Sequence, residues 1–204
     1  MADDSALLQA WREGDAVSGN QLFERYFPRM YRFFAHKSPD RIEDLIQETF
    51  LACVRGRDAF RGEASFKTYL YGIAVNVLKA DLRRRSKADM LDFGVTSIAD
   101  LGPTPSQLAA AEQERALLLE AMRRIPLDHQ VVIELHFLEG LRGPEIAVAL
   151  DIAEGTVRSR LRRGLDRLRR SFKELGLSNE AFDNLERGSY RSDEAAPDTQ
   201  RSPS

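Results

Sequence analysis

Toward the C-terminal end of this chain, Arg158, Arg160, Arg162, Arg163, Arg167, Arg169 and Arg170 fall within roughly four helical turns. A guanidinium is a planar fork of N–H donors that meets a phosphate, or the edge of a guanine, two bonds at a time. Between Glu154 and Lys173 eight Arg or Lys residues stand against two acids, in a chain whose formal net charge is −2. The positive charge is therefore local, and its chemistry is the binding of a polyanion. A solvated helix face is the plain alternative for any such run.

The residues around the arginines decide between the two. Val157, Leu161, Leu165, Leu168 and Phe172 recur at steps of four or three, the apolar stripe of an amphipathic helix. Just upstream, Pro144-Glu145-Ile146-Ala147 opens a shorter helix with Ile146, Ala147 and Leu150 on one face. Asp151 to Thr156 interrupts the period with turn and cap residues. A short helix, a tight turn and a longer basic helix form the helix-turn-helix pattern, whose second helix enters a DNA major groove.

Other chemistry-bearing residues offer less. Glu43, Asp44, Gln47 and Glu48 make an acidic stripe on a helix over Asp40–Val54, with Ile42, Leu45, Ile46, Thr49, Phe50 and Cys53 facing inward. Paired carboxylates can serve acid–base catalysis, but no His, Ser or Lys partner recurs nearby, so a solvated face or a docking surface is expected. Cys53 is the single cysteine, which excludes a disulfide framework and a cysteine zinc cluster, and its apolar neighbours predict burial. His36, His129 and His136 lack ligand spacing. No catalytic residue, metal or cofactor is expected, and the chain is not read as an enzyme. The acidic start Met1-Ala2-Asp3-Asp4 is unlike a secretory signal. No run approaches the ~20 apolar residues a membrane span needs. A cytoplasmic protein without membrane insertion is expected.

The elements that carry these residues read as helices throughout. Residues 5 to 36 are helical with a break at Gly14-Asp15, and Leu22, Phe23, Tyr26, Phe27, Met30, Tyr31, Phe33 and Phe34 form an aromatic core stripe. A loop over Arg57–Ser65, with Gly62 as breaker and Ser65 as N-cap, leads to a long helix over Phe66–Arg85. Phe66, Leu70, Ile73 and Val77 are expected inward, with Tyr69, Asn76, Lys79 and Arg83 to Arg85 toward solvent or nucleic acid. Rings interleaved with cations suit single-stranded DNA, although an ordinary surface helix is the plainer alternative. Asp89, Gly94, Gly102, Pro103 and Pro105 mark a linker. Helix resumes at Ser106-Gln107 and runs to Arg124, and Asp128 is expected to cap a further helix ending at Glu139-Gly140. The fold class is all-α: two small helical domains joined by a flexible linker, the C-terminal one a helix-turn-helix. The expected boundaries are 1–86, linker 87–106, 107–175, and an acidic, largely disordered tail 176–204 with at most a short helix over Glu180–Leu185.

Taken in order, several stretches resemble an extracytoplasmic-function (ECF) type bacterial sigma factor, described as the smallest class of the housekeeping sigma family. They are Asp44-Leu45-Ile46-Gln47-Glu48-Thr49-Phe50, Phe60-Arg61-Gly62 leading to Ser65–Leu70, Ile73-Ala74-Val75-Asn76 and Arg83-Arg84-Arg85. In the second half they are Ile125-Pro126, Glu139-Gly140-Leu141, Glu145-Ile146-Ala147 and Gly155 to Leu161. The resemblance spans roughly residues 20 to 86 and 108 to 171.

The resemblance implies a promoter-specificity subunit that binds core RNA polymerase through the β′ clamp helices and the β flap. Asp44, Leu45, Gln47, Glu48 and Phe50 map onto the clamp-docking helix. Phe60, Arg61, Ser65, Tyr69, Asn76 and Lys79 would handle the melted −10 strand, Asn76 and the loop by base contacts, with Arg83 and Arg84 on the backbone. Thr156, Arg158, Ser159, Arg160, Arg162 and Arg163 would face the −35 duplex, with Arg158, Ser159 and Arg163 reading bases. An anti-sigma factor is a further implied partner. Two positions depart from the family pattern: Tyr69 stands where Trp is usual, and Arg142-Gly143-Pro144 replaces a Ser-led helix start. The competing reading is a helix-turn-helix regulator that never meets core polymerase.

Overall fold

A computed structural model describes residues 3–57, 60, 64–86, 92–98, 113–176 and 182–183. Its N-terminal unit holds four helices, α1 (Asp4–Arg12), α2 (Ala16–Ala35), α3 (Ile42–Gly56) and α4 (Phe66–Arg85). Helices α2 and α4 start where the sequence supplies an acceptor. Asp15 takes the N–H of Val17 at 3.0 Å, and Ser65 takes that of Thr68 at 3.1 Å, satisfying donors a helix end would otherwise leave bare. Leu22, Met30 and Phe34 of α2, Leu45 of α3 and Leu70 and Leu78 of α4 are fully buried together. Phe23 stacks on Phe50 at 4.5 Å, joining α2 to α3. Cys53 is buried, which pushes its thiol up to about 12.

The C-terminal unit comprises α5 (Gln113–Arg123), α6 (Leu127–Ile133), a π-helical turn Glu134–Leu138, α7 (Gly143–Leu150) and α8 (Glu154–Glu174). Glu145 accepts the Arg142 N–H at 2.8 Å, and with Pro144 in the first turn this starts α7 cleanly despite the unusual Arg-Gly-Pro lead. Leu118, Met122, Ile125, Ile133, Leu168 and Phe172 form a core under α5 and α8, closed at one edge by Phe182. Gly164 is required where α8 crosses α6: a Cβ there would lie 2.9 Å from Ile133 Cδ1 and 3.1 Å from His129 Cβ.

Several expectations are corrected. Ile73 and Val77 are only half-buried, while Tyr71, Ala74, Val75, Leu78 and Leu82 are buried. The cause is that α4 is covered from two sides, by α3 and by α7, so one apolar stripe cannot describe it. Phe27 and Tyr31 lie at the surface, 46% and 44% exposed. Asp128 does not cap α6, whose N-cap is Pro126 without a side-chain bond; its carboxylate turns to cations instead. Within the expected linker, residues 92–98 make a turn that pairs with the start of α6, Leu127 N–H reaching Thr96 O at 3.0 Å and Asp128 N–H reaching Phe93 O at 2.9 Å. Phe93 and Ile98 are buried there. The remainder of that linker, the helix start at Ser106-Gln107 and most of the tail lie outside the described residues.

The two units share a core. Leu127, Val131, Leu135, Ile146 and Val157 belong to the same buried cluster as Phe33, Tyr71 and Val75. Against α7 the backbone of α4 comes so close that a Cβ on Gly72 would lie 2.6 Å from the carbonyl oxygen of Ala149.

Candidate nucleic-acid interface

The turn between α7 and α8 sets the direction of the basic helix. Asp151 adopts left-handed backbone, φ 51°, which Asp tolerates better than most residues. Ile152 N–H then returns to the Ala147 carbonyl at 3.1 Å. Val157 is buried, and that single anchor turns Arg158, Arg162 and Arg163 outward, where all three are exposed. Arg158 Nη1 lies 3.4 Å from Glu154 Oε1 in a pair that is mostly solvated. Such a pair is weak, so Arg158 can exchange Glu154 for a phosphate or a base edge. Ser159 donates its hydroxyl to the Thr156 carbonyl at 3.0 Å, and both residues are half-buried at the amino end of the helix. Beneath this helix, burial first and then Arg167 and Arg160 hold His129 below the ordinary imidazole value.

Arg160 departs from this face. Its guanidinium lies 2.6 Å from Asp128 Oδ2, turned toward α6 rather than solvent.

A second polar face runs along α4, where Asn76, Lys79 and Arg83 follow one another at helical spacing. Asn76 and Arg83 are exposed and Lys79 is half-buried. Lys79 Nζ is 2.5 Å from Asp128 Oδ1, and both Lys79 and Arg83 lie over the Phe93 ring, at 5.4 and 5.0 Å. Tyr69 is half-buried with its ring 4.6 Å from that of Phe60, and Phe60 is itself buried against it. The Phe60 ring thus props Tyr69 instead of standing open to a base. Ser65 is spent as the cap of α4, and Arg61 lies outside the described residues.

The acidic stripe of α3 divides in two. Asp44 and Gln47 are exposed, Glu48 and Phe50 are half-buried, and Leu45 is fully buried. Leu45 is therefore corrected from a docking contact to a core residue that supports the helix from beneath. Glu48 accepts Arg84 at 3.3 Å and faces Arg41 at 3.6 Å. Behind them the buried Asp81 carboxylate gathers Arg41 at 3.4 Å, Arg84 at 3.5 Å and Arg85 at 3.6 Å. Arg84 is thus tied into the α3–α4 network and not held out toward solvent alone. Beside the stripe, Phe23, Phe27, Ile46, Phe50, Leu51 and Val54 line an apolar groove.

Residues 22–88 match the family description Sigma-70 region 2, and residues 115–168 match Sigma-70, region 4. The ECF RNA polymerase sigma-E factor of Haemophilus influenzae is 33% identical over 184 residues, covering 84% of this chain and 96% of its own length. That of Escherichia coli K12 is 32% identical over 168 residues, covering 78% and 88%. The chain belongs to the ECF sigma factors of RNA polymerase. ECF is the right class, and the wider label of a housekeeping family is withdrawn, because the curated relatives carry the ECF name. Two solved structures share the fold. One is CnrH in complex with the cytosolic domain of CnrY, at TM-score 0.62 and 22% identity, covering 84% of this chain and 97% of that one. The other is the sigma factor RpoE in complex with the anti-sigma factor NepR from Bartonella quintana, at TM-score 0.59 and 22% identity, covering 76% and 96%.

In this ECF sigma factor the region 2 match contains the α3 stripe and the α4 face, and the region 4 match contains the exposed arginines of α8. Among the described residues no helix is long and apolar enough to cross a membrane. Sequence reasoning missed Glu134, Phe93 and Gly72 and gave Asp128 only a capping role, whereas all four act between the units. Each is unremarkable in its own helix or turn, so no local signal marked it.

Proposed function

We propose that this chain is the promoter-specificity subunit of a bacterial RNA polymerase, acting in the cytoplasm and without chemistry of its own. The observation that carries the reading is the exposed Arg158, Arg162 and Arg163 row on a helix braced by α7, within a chain that also matches region 2. In this account α8 binds the −35 duplex, positioned by phosphate contacts and read through base edges. Asn76 and the Tyr69 ring hold the unpaired −10 strand, with Arg83 along its backbone. Asn76 is suited to base recognition because its amide offers a donor and an acceptor side by side at an exposed point of α4.

Docking on polymerase falls to α3. Asp44 and Gln47 supply the polar edge, and the groove of Phe27, Leu51 and Val54 beside them accepts an apolar helix face, the helix-in-groove mode. An anti-sigma factor is a further partner in this account, a reading supported by the sigma factor RpoE of the same fold, which is bound to the anti-sigma factor NepR. Co-elution with purified core polymerase tests the docking. A stoichiometric complex that weakens when Leu51 and Val54 are both changed to Asp is expected. A chain that elutes apart from core polymerase would return the account to a plain helix-turn-helix regulator.

A further inference from the structure

We propose that Arg160 is a positioning residue for sequence readout, setting the tilt of α8 through Asp128 without touching DNA itself. This rests on the assignment of α8 to the −35 duplex made above.

Arg160 shares its helical turns with Arg158, Arg162 and Arg163, yet it is half-buried where they are exposed. Its Nη2 meets Asp128 Oδ2 at 2.6 Å, with the two side chains only 25% and 10% exposed. A pair this short and sheltered is a directional, charge-assisted contact. A phosphate would have to displace a carboxylate that already neutralises the guanidinium.

That carboxylate stands on a fixed backbone. Asp128 N–H donates to the Phe93 carbonyl at 2.9 Å, and Leu127 N–H donates to that of Thr96 at 3.0 Å. Phe93, Ser97 and Ile98 of the same turn are buried. The 92–98 turn thereby holds the start of α6, and the start of α6 holds Arg160. Lys79 of α4 reaches the other oxygen of Asp128, Oδ1, at 2.5 Å.

The crossing of α8 on α6 supplies a fulcrum. It lies at Gly164, where a Cβ would come within 2.9 Å of Ile133 Cδ1 and 3.1 Å of His129 Cβ. Between the start of α8 and this crossing only Val157 is fully buried. Apolar contact fixes the depth of the helix but is non-directional. Arg158 precedes Gly164 by about 9 Å along the helix at 1.5 Å per residue. A rotation of about 10° at the crossing moves it by roughly 1.5 Å, well beyond the ~0.5 Å within which recognition groups must be held. The Arg160 bridge, in the turn between them, resists that rotation. Base edges demand this precision, whereas phosphate contacts carry no sequence information and long cations follow them as the helix tilts. Arg160 therefore governs which sequence is bound more than how tightly DNA is held.

The test titrates full-length wild type, Arg160→Ala, Asp128→Ala and the double variant over a salt series. Three probes are used: a duplex carrying the −35 element of a promoter mapped with this chain, the same duplex changed at one base pair, and a scrambled duplex. Circular dichroism melting is the fold control, and Arg160→Met, which keeps the aliphatic stem, replaces Arg160→Ala should that variant not fold. In the wild type one good base contact separates the first two probes by roughly 5- to 150-fold. The expected result is that this ratio falls toward one in Arg160→Ala, while affinity for scrambled duplex and its salt slope keep their wild-type values. In the Asp128→Ala background, loss of Arg160 should cost no further discrimination, because its partner is already gone. Losses of discrimination that add in the double variant would put Arg160 on a base edge and overturn the proposal. Equal weakening on all three probes, with a salt slope smaller by about 0.9, would make it a phosphate contact and overturn it as well. A lowered melting midpoint with discrimination intact would leave the pair a stabilising contact alone, again contrary to the proposal. A wild type that binds all three probes alike would remove the −35 assignment of α8, and the positioning role with it.

Discussion

Arg158 is the residue whose role is most sharply testable. It is exposed, only weakly held by Glu154, and one turn into the helix that would enter the groove. Arg158→Ala should lose about 1–3 kcal/mol on the preferred −35 duplex, the worth of one good base contact. Equal weakening on scrambled duplex, measured by fluorescence anisotropy, would reduce it to a phosphate contact. Leu45 shows the opposite case. The apolar period of its helix placed it inward, while its position in the resemblance placed it on polymerase; burial to 0% exposure decides for the first. Leu45→Ala should therefore destabilise the chain by about 2–5 kcal/mol in urea titration. A full-stability variant with impaired polymerase binding would restore the docking role. Periodicity was the better guide here because it reports burial directly, whereas a motif match transfers a whole helix, buried side included.

At the scale of elements, the helix-turn-helix was legible because α8 has one buried face and a strict apolar repeat ending at Phe172. By contrast α4 was misread, since two partners cover it and a single apolar stripe cannot serve both. The π-helical turn Glu134–Leu138 left no mark in the sequence; a shift of one hydrogen bond alters geometry without altering which residues are apolar. Gly164 was silent too, although the crossing of α8 on α6 depends on it. Gly164→Ala should cost about 1–3 kcal/mol through overpacking against Ile133 and His129, seen as a lowered thermal midpoint. An unchanged or raised midpoint would mean that α8 can slide away from α6. The network around Asp81 makes a related claim: its buried carboxylate is where Arg41, ahead of α3, meets Arg84 and Arg85 of α4. Asp81→Ala should loosen α3 against α4 and raise hydrogen exchange in the α3 amides, whereas unaltered exchange would show that the apolar contacts suffice.

For the whole molecule, the all-α class and the two helical units could be read in advance, but their mutual placement could not. The contacts that place them join residues far apart in the chain, Lys37 to Glu134 and Lys79 to Asp128 among them, and no periodicity reports a partner about a hundred or fifty positions away. The expected linker likewise concealed Phe93, an apolar residue among breakers, which turns out to be buried against α4 cations. What the chain does depends on both units acting on one promoter with a shared polymerase. The most direct measurement is run-off transcription by core polymerase stripped of specificity subunits, supplied with this chain and a genomic promoter library. The account predicts transcripts from a small set of defined start sites, lost when Asn76 and Arg158 are changed together to Ala. Transcripts that are absent, or that start at random with and without the chain alike, would contradict it.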